Sequence, residues 1–135
     1  MAVEKRSELA LSSQDDVVIV RQAVRAAAVE IGFSLIEQTK VVTAASELAR
    51  NTVVHGGGGT ASVETVREPG KNGLRLTFED RGPGIANIEL ALKDGYSSGG
   101  GLGLGLGGAR RLSSEFMIES QPGRGTRVTI VRWKG

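Results

Sequence analysis

Four consecutive glycines at positions 56–59 divide this 135-residue chain into two parts with different hydrophobic periods. Before them, apolar side chains recur at three- and four-residue intervals; after them, they alternate. Helices bury apolar residues with a period of about 3.6 and strands with a period of 2, so neither part can take the other's structure without turning its apolar residues into water. The chain is therefore expected to segregate helices from strands along its length, which is the mark of an α+β fold.

Upstream, residues 7–13, "SELALSS", are expected to form a short strand. Ser13 then stands as an N-cap with Asp16 three residues on, and Val17, Val20, Val24, Ala27 and Ile31 follow on one helical stripe. Arg21 and Arg25 fall off that stripe, and Gly32 closes the helix. Ser34 and Glu37 form a second capping-box pattern. It opens a long helix to about Val54, with Val41, Ala45, Leu48 and Thr52 on the inner face.

Downstream, residues 60–68 and 74–80 read as strands joined by a turn over 69–73. Leu74, Leu76 and Phe78 point one way; Arg75, Thr77 and Glu79 point the other. Short helices are expected at about 87–93 and 105–114, then two strands, "FMIESQ" and "TRVTIVRW", joined across residues 122–125. The expected architecture is a single domain over residues 1–135. It is a two-layer α+β sandwich, with one mainly antiparallel mixed sheet and helices on one face.

Composition narrows the chemistry. The absence of cysteine excludes disulfides and thiolate metal sites and fits a reducing, cytoplasmic setting. The single histidine, His55, reads as a polar residue at a helix end, and one imidazole makes a poor basis for a metal cluster. "MAVEKRSELA" is charged where a signal peptide is apolar, and no run reaches the ~20 apolar residues of a membrane helix. Neither secretion nor a membrane partner is expected. With a net charge of +2 and scattered basic residues, nucleic acid is not an expected partner either.

Three stretches carry chemistry. In "SELARN", Glu47 and Asn51 lie four apart on the long helix and share a face. In "EDRGPGI", Asp80 ends an alternating strand, and Gly82 and Gly84 force a tight turn that lets a ligand approach the backbone. In "SGGGLGLGLGG", residues 98–108, the glycines leave amides free to surround an anion ahead of a helix N-terminus, and the leucines anchor the loop to the core. Each stretch alone has a bland reading: a solvated face, an ordinary turn, a flexible loop.

Taken in order, Glu-x-x-x-Asn, Asp-x-Gly-x-Gly, Gly-x-Gly-x-Gly and a closing Gly125-Thr126 before a strand, the chain resembles the Bergerat (GHKL) ATP-binding fold of gyrase, heat-shock protein 90, histidine kinases and MutL. Glu47 to Asn51 matches its N box, Asp80 to Gly84 its first glycine box, and Gly101 to Gly105 its second; the resemblance runs from about residue 8 to the end. The chain has neither a P-loop nor a Rossmann fingerprint. His55 is badly placed as a phospho-acceptor, and the length leaves no expectation of histidine-kinase dimerisation helices. Within the superfamily the chain is similar to bacterial partner-switching serine kinases. "SELARN", "EDRGPGI", "GYSSGGGLGLGLGGARRL" and the closing "VRW" are similar to the RsbT type, the stressosome switch kinase, and depart from anti-sigma factors of the RsbW and sporulation type.

The resemblance implies the following roles. Asp80 accepts a hydrogen bond from the adenine amino group, with Gly82 and Gly84 shaping the turn and Thr126 supporting from the neighbouring strand. Asn51 ligates Mg²⁺. The amides of Gly101, Leu102, Gly103, Leu104 and Gly105 wrap the phosphates of ATP. Glu47 is the base, and Arg81, Arg110 and Arg111 are candidate transition-state cations. The implied substrate is a serine on a STAS-domain antagonist protein, and the implied downstream partner is a PP2C-type phosphatase or its regulatory domain. The competing readings are an anti-sigma factor that also phosphorylates its antagonist, and an ATP-gated switch without catalysis. Val18, Ile19 and Val29 on the first helix either support pairing with another chain or cover the sheet.

Overall fold

The change of period falls where helix gives way to sheet. A computed structural model of the chain describes residues 1–93 and 105–135. In chain order it contains β1 (Ala2–Leu11), α1 (Gln14–Glu30), α2 (Leu35–Val54), β2 (Gly59–Glu68), β3 (Lys71–Asp80), α3 (Ile88–Ala91), α4 (Gly105–Arg111), β4 (Glu115–Gln121) and β5 (Gly125–Trp133). The strands form one sheet in the order β1-β2-β3-β5-β4, and each of these pairings is antiparallel.

Alternation decides which side of the sheet faces the helices. Leu74, Leu76 and Phe78 on β3 pair with Thr65, Val63 and Ala61 on β2; Leu76 and Phe78 also pair with Ile130 and Val128 on β5. All three β3 residues are buried, in one core with Val17, Val20 and Val24 of α1 and Val41, Ala45 and Leu48 of α2. The opposite face is polar. There Glu64, only 8% exposed, is held by the Arg75 guanidinium at 2.7 Å, which in turn raises the Arg75 pKa. α2 packs between α1 and α4.

Three expectations need correction. β1 begins five residues earlier than predicted, because its first seven residues, "AVEKRSE", lie exposed at the sheet edge and carry no apolar alternation to read. It also ends at Leu11, so Ser12 and Ser13 lie outside it. Ser13 does stand at the N-cap of α1, but its side chain caps nothing; Asp16 instead accepts hydrogen bonds from the Ser12 amide and hydroxyl, both at 2.8 Å. Val18, Ile19 and Val29 are 46%, 50% and 56% exposed, so they do not cover the sheet. The second capping box is present as read: the Glu37 amide donates to Ser34 Oγ and the Ser34 amide to Glu37 Oε1. Among the described residues, no helix is long and apolar enough to cross a membrane.

Candidate active site

A cavity of about 430 Å³ opens where α2, the turn after β3 and β5 meet. Leu48, Asn51 and Thr52 of α2 line it, with His55 at the helix C-cap and Gly56 just beyond. β3 contributes Phe78 and Asp80; the turn contributes Pro83, Gly84, Ile85, Ala86 and Asn87. Leu90 and Ala91 of α3, Gly105 and Leu106 of α4, and Thr126 and Val128 of β5 complete the described wall. The composition is that of a small-molecule site: mostly apolar, with a few polar groups that fix orientation.

Asp80 is held by its surroundings from several sides. It ends β3 and stands opposite Thr126 on β5 and Gly59 on β2. Its Oδ1 accepts a hydrogen bond from the Gly82 amide at 2.9 Å, which folds the chain back at once. Gly56 lies directly against the carboxylate, so closely that a Cβ there would overlap it. A Cβ on Gly82 would sit 2.7 Å from the Gly56 backbone. These glycines serve close approach.

Gly84 does something else. It has φ of 77° and is packed against the Gln121 carbonyl, so both conformation and space require glycine there. The turn is fastened to the β4–β5 hairpin on either side of it. The Gly123 amide donates to the Pro83 carbonyl at 2.7 Å, and the Ile85 amide donates to Ser120 Oγ at 2.8 Å. Ser120 also contacts Thr126 Oγ1 at 2.9 Å.

Of the predicted site residues, Asn51, Asp80, Gly84, Gly105 and Thr126 share the cavity wall, and Gly82 shapes the turn behind it. Glu47 lies one turn before Asn51 on α2; it is buried, 8% exposed, and not in the wall. Arg81, Arg110 and Arg111 are exposed, and none lines the cavity. Gly101, Leu102, Gly103 and Leu104 lie outside the described residues. His55 does cap the helix end as read, and it also lines the cavity.

Sequence reasoning missed Gly56 and Ser120. Gly56 was hidden in a run that reads simply as a helix stop. Ser120 had a signal: Phe116, Ile118 and Ser120 share the inward face of β4, and a hydroxyl in that series needs a partner.

Residues 36–134 match the family model of histidine kinase-, DNA gyrase B-, and HSP90-like ATPases. The chain belongs to this family. The span matched by this ATPase family takes in every described residue of the cavity wall. Among curated relatives, the serine/threonine-protein kinase RsbT of Bacillus subtilis (strain 168) is 44% identical over 118 residues, covering 87% of this chain and 89% of the relative. An anti-sigma F factor of Clostridium kluyveri is 30% identical over 124 residues, covering 89% and 87%. That of Clostridium beijerinckii is 28% identical over 137 residues, covering 96% and 94%.

Proposed function

We propose that the chain is an ATP-dependent protein serine/threonine kinase of a partner-switching pathway. The observation that carries this reading is the convergence of Asn51, Asp80, Gly84 and Thr126, from three separate segments, on one cavity. The name of the RsbT relative supports the kinase activity.

An adenine ring suits the wall of Leu48, Phe78, Ile85 and Val128, and its amino group suits Asp80. A carboxylate only accepts hydrogen bonds, so it takes the 6-amino group of adenine and refuses the 6-keto group of guanine. A hydrogen bond to a charged partner contributes about 1.5–3 kcal/mol, enough to set a strong preference. Mg²⁺ fits the donor set: it needs hard oxygens, keeps several waters, and asks only for the Asn51 amide oxygen besides phosphate. Among the described residues no cluster of three or more carboxylates and histidines offers it another cage. When bound, it neutralises phosphate charge. Glu47 is the general base that takes the proton of the acceptor serine. The amides of residues 101–105 hold the phosphates. Positioning and charge neutralisation make up most of phosphoryl-transfer catalysis, so this small set suffices.

The acceptor is a serine on a STAS-domain antagonist protein, and release from that protein frees the kinase to activate a PP2C-type phosphatase. The anti-sigma F relatives support a second reading, in which the chain also sequesters a sigma subunit. The test incubates the purified chain with ATP, Mg²⁺ and a STAS-domain partner and reads phosphoserine by mass spectrometry. Phosphoserine on the partner, together with phosphatase stimulation, is the expected result. Phosphorylation with sigma binding selects the second reading; ATP binding without phosphoserine overturns both kinases.

A further inference from the structure

Ser120 lies behind the cavity, outside its wall, yet three contacts converge on its one hydroxyl. The Ile85 amide donates to it at 2.8 Å, the Gly125 carbonyl lies at 3.1 Å, and Thr126 Oγ1 at 2.9 Å. A hydroxyl has one proton and two lone pairs. All three contacts are hydrogen bonds at once in only one arrangement. The Ser120 proton goes to the Gly125 carbonyl, and its lone pairs accept from Ile85 and from Thr126. The alternative, with Ser120 donating to Thr126, leaves the Gly125 carbonyl without this donor.

This arrangement commits the only proton of Thr126 to Ser120, away from the cavity. Towards a ligand, Thr126 then offers lone pairs alone. Its cross-strand neighbour Asp80, which also lines the cavity, offers lone pairs as well. An exocyclic amino group has two N–H donors to give; a keto oxygen has none.

We infer that Ser120 is a specificity-determining positioning residue: by accepting the hydrogen bond of the Thr126 hydroxyl it makes this end of the cavity acceptor-only, selecting 6-amino over 6-keto purine nucleotides. The inference rests on the adenine reading of the cavity. The same hydroxyl, through Ile85, pins the turn that follows Asp80.

The test compares ATP with inosine triphosphate, which carries a keto group in place of the amino group, by calorimetric titration of wild type, Ser120→Ala, Ser120→Thr and Thr126→Val. In Ser120→Ala the Thr126 hydroxyl is free to turn and donate. The ATP preference should fall about tenfold there, the worth of about one hydrogen bond, and stay within about twofold of wild type in Ser120→Thr, which keeps the hydroxyl. Thr126→Val should lose preference to a similar degree. Unchanged preference in Ser120→Ala or in Thr126→Val overturns the inference, and a merely structural role would lower melting temperature without moving the ratio.

Hydrogen exchange of the Ile85 amide in nucleotide-free protein reads the hydroxyl's contact directly. Faster exchange in Ser120→Ala supports it and unchanged exchange contradicts it. If wild type binds neither nucleotide, the adenine reading has failed, and the Ile85 amide still reports on Ser120.

Discussion

Gly56 and Gly57 are adjacent glycines that exist for different reasons. Gly57 has φ of 74° with open space where a side chain would go, so it serves conformation. Gly56 is absent from the left-handed region and lies against the Asp80 carboxylate, so it serves space. Gly56→Ala should therefore displace Asp80 and weaken ATP binding by about tenfold or more, as the loss of a charge-assisted hydrogen bond does. Gly57→Ala should cost stability of about 1–2 kcal/mol, the strain of a left-handed alanine, and leave ATP affinity intact. Calorimetric titration beside thermal melting separates the two; equal affinity in both variants would detach Gly56 from the site. The sequence made Asn51, Asp80 and Thr126 legible because each bears a functional group in a spaced motif. Gly56 acts by having no atom at the place that matters, and nothing in a run of four glycines says which one that is.

At the scale of elements, α2 carries the strongest local signals, and it was legible to its last turn. Its capping box and the glycines after it bound it at Leu35 and Val54, as the sequence suggested. Beyond what the sequence offered, Glu37 Oε2 also accepts from the Gly135 amide at 2.8 Å, which ties the start of α2 to the chain's end. That contact first, and the Ser34 amide second, hold the Glu37 carboxyl below its ordinary value of 4.5. A carboxyl held low in the folded state adds stability that is fully present above its unfolded pKa and is lost as pH falls through the folded one. Wild type should thus melt higher than Glu37→Gln above pH 4.5, and the gap should close on acidification below it. A gap that persists or widens in acid would exclude this role. α1 and β1 were less legible. Two adjacent serines offered the same cap chemistry at the start of α1, and Asp16 turned to Ser12. β1 takes its register from β2, a long-range pairing that its own exposed residues do not encode.

For the whole molecule, a sheet covered by helices on one side sets the site at the end of the sandwich, where α2 and β3 end and β5 begins around one cavity. The period change made the two layers legible. The cavity was legible only as motifs whose meeting required the strand order β2-β3-β5, which brings Asp80 opposite Thr126. Glu47 occupies a different position from the rest: buried, one turn along α2 from Asn51, and not among the residues of the wall. A base in that place should be needed for transfer and not for binding. Gln is nearly isosteric with Glu and equally compatible with a helix, so Glu47→Gln should leave the fold and the pocket intact. The decisive measurement pairs two quantities in that variant: ATP affinity by calorimetry, and phosphate incorporated from ATP into a STAS-domain partner. Near-normal affinity with incorporation reduced about 10²–10⁴-fold, the usual loss on removing a general base, is the expected result. Incorporation within a few-fold of wild type would contradict the account, because the proton of the acceptor serine would then have another destination.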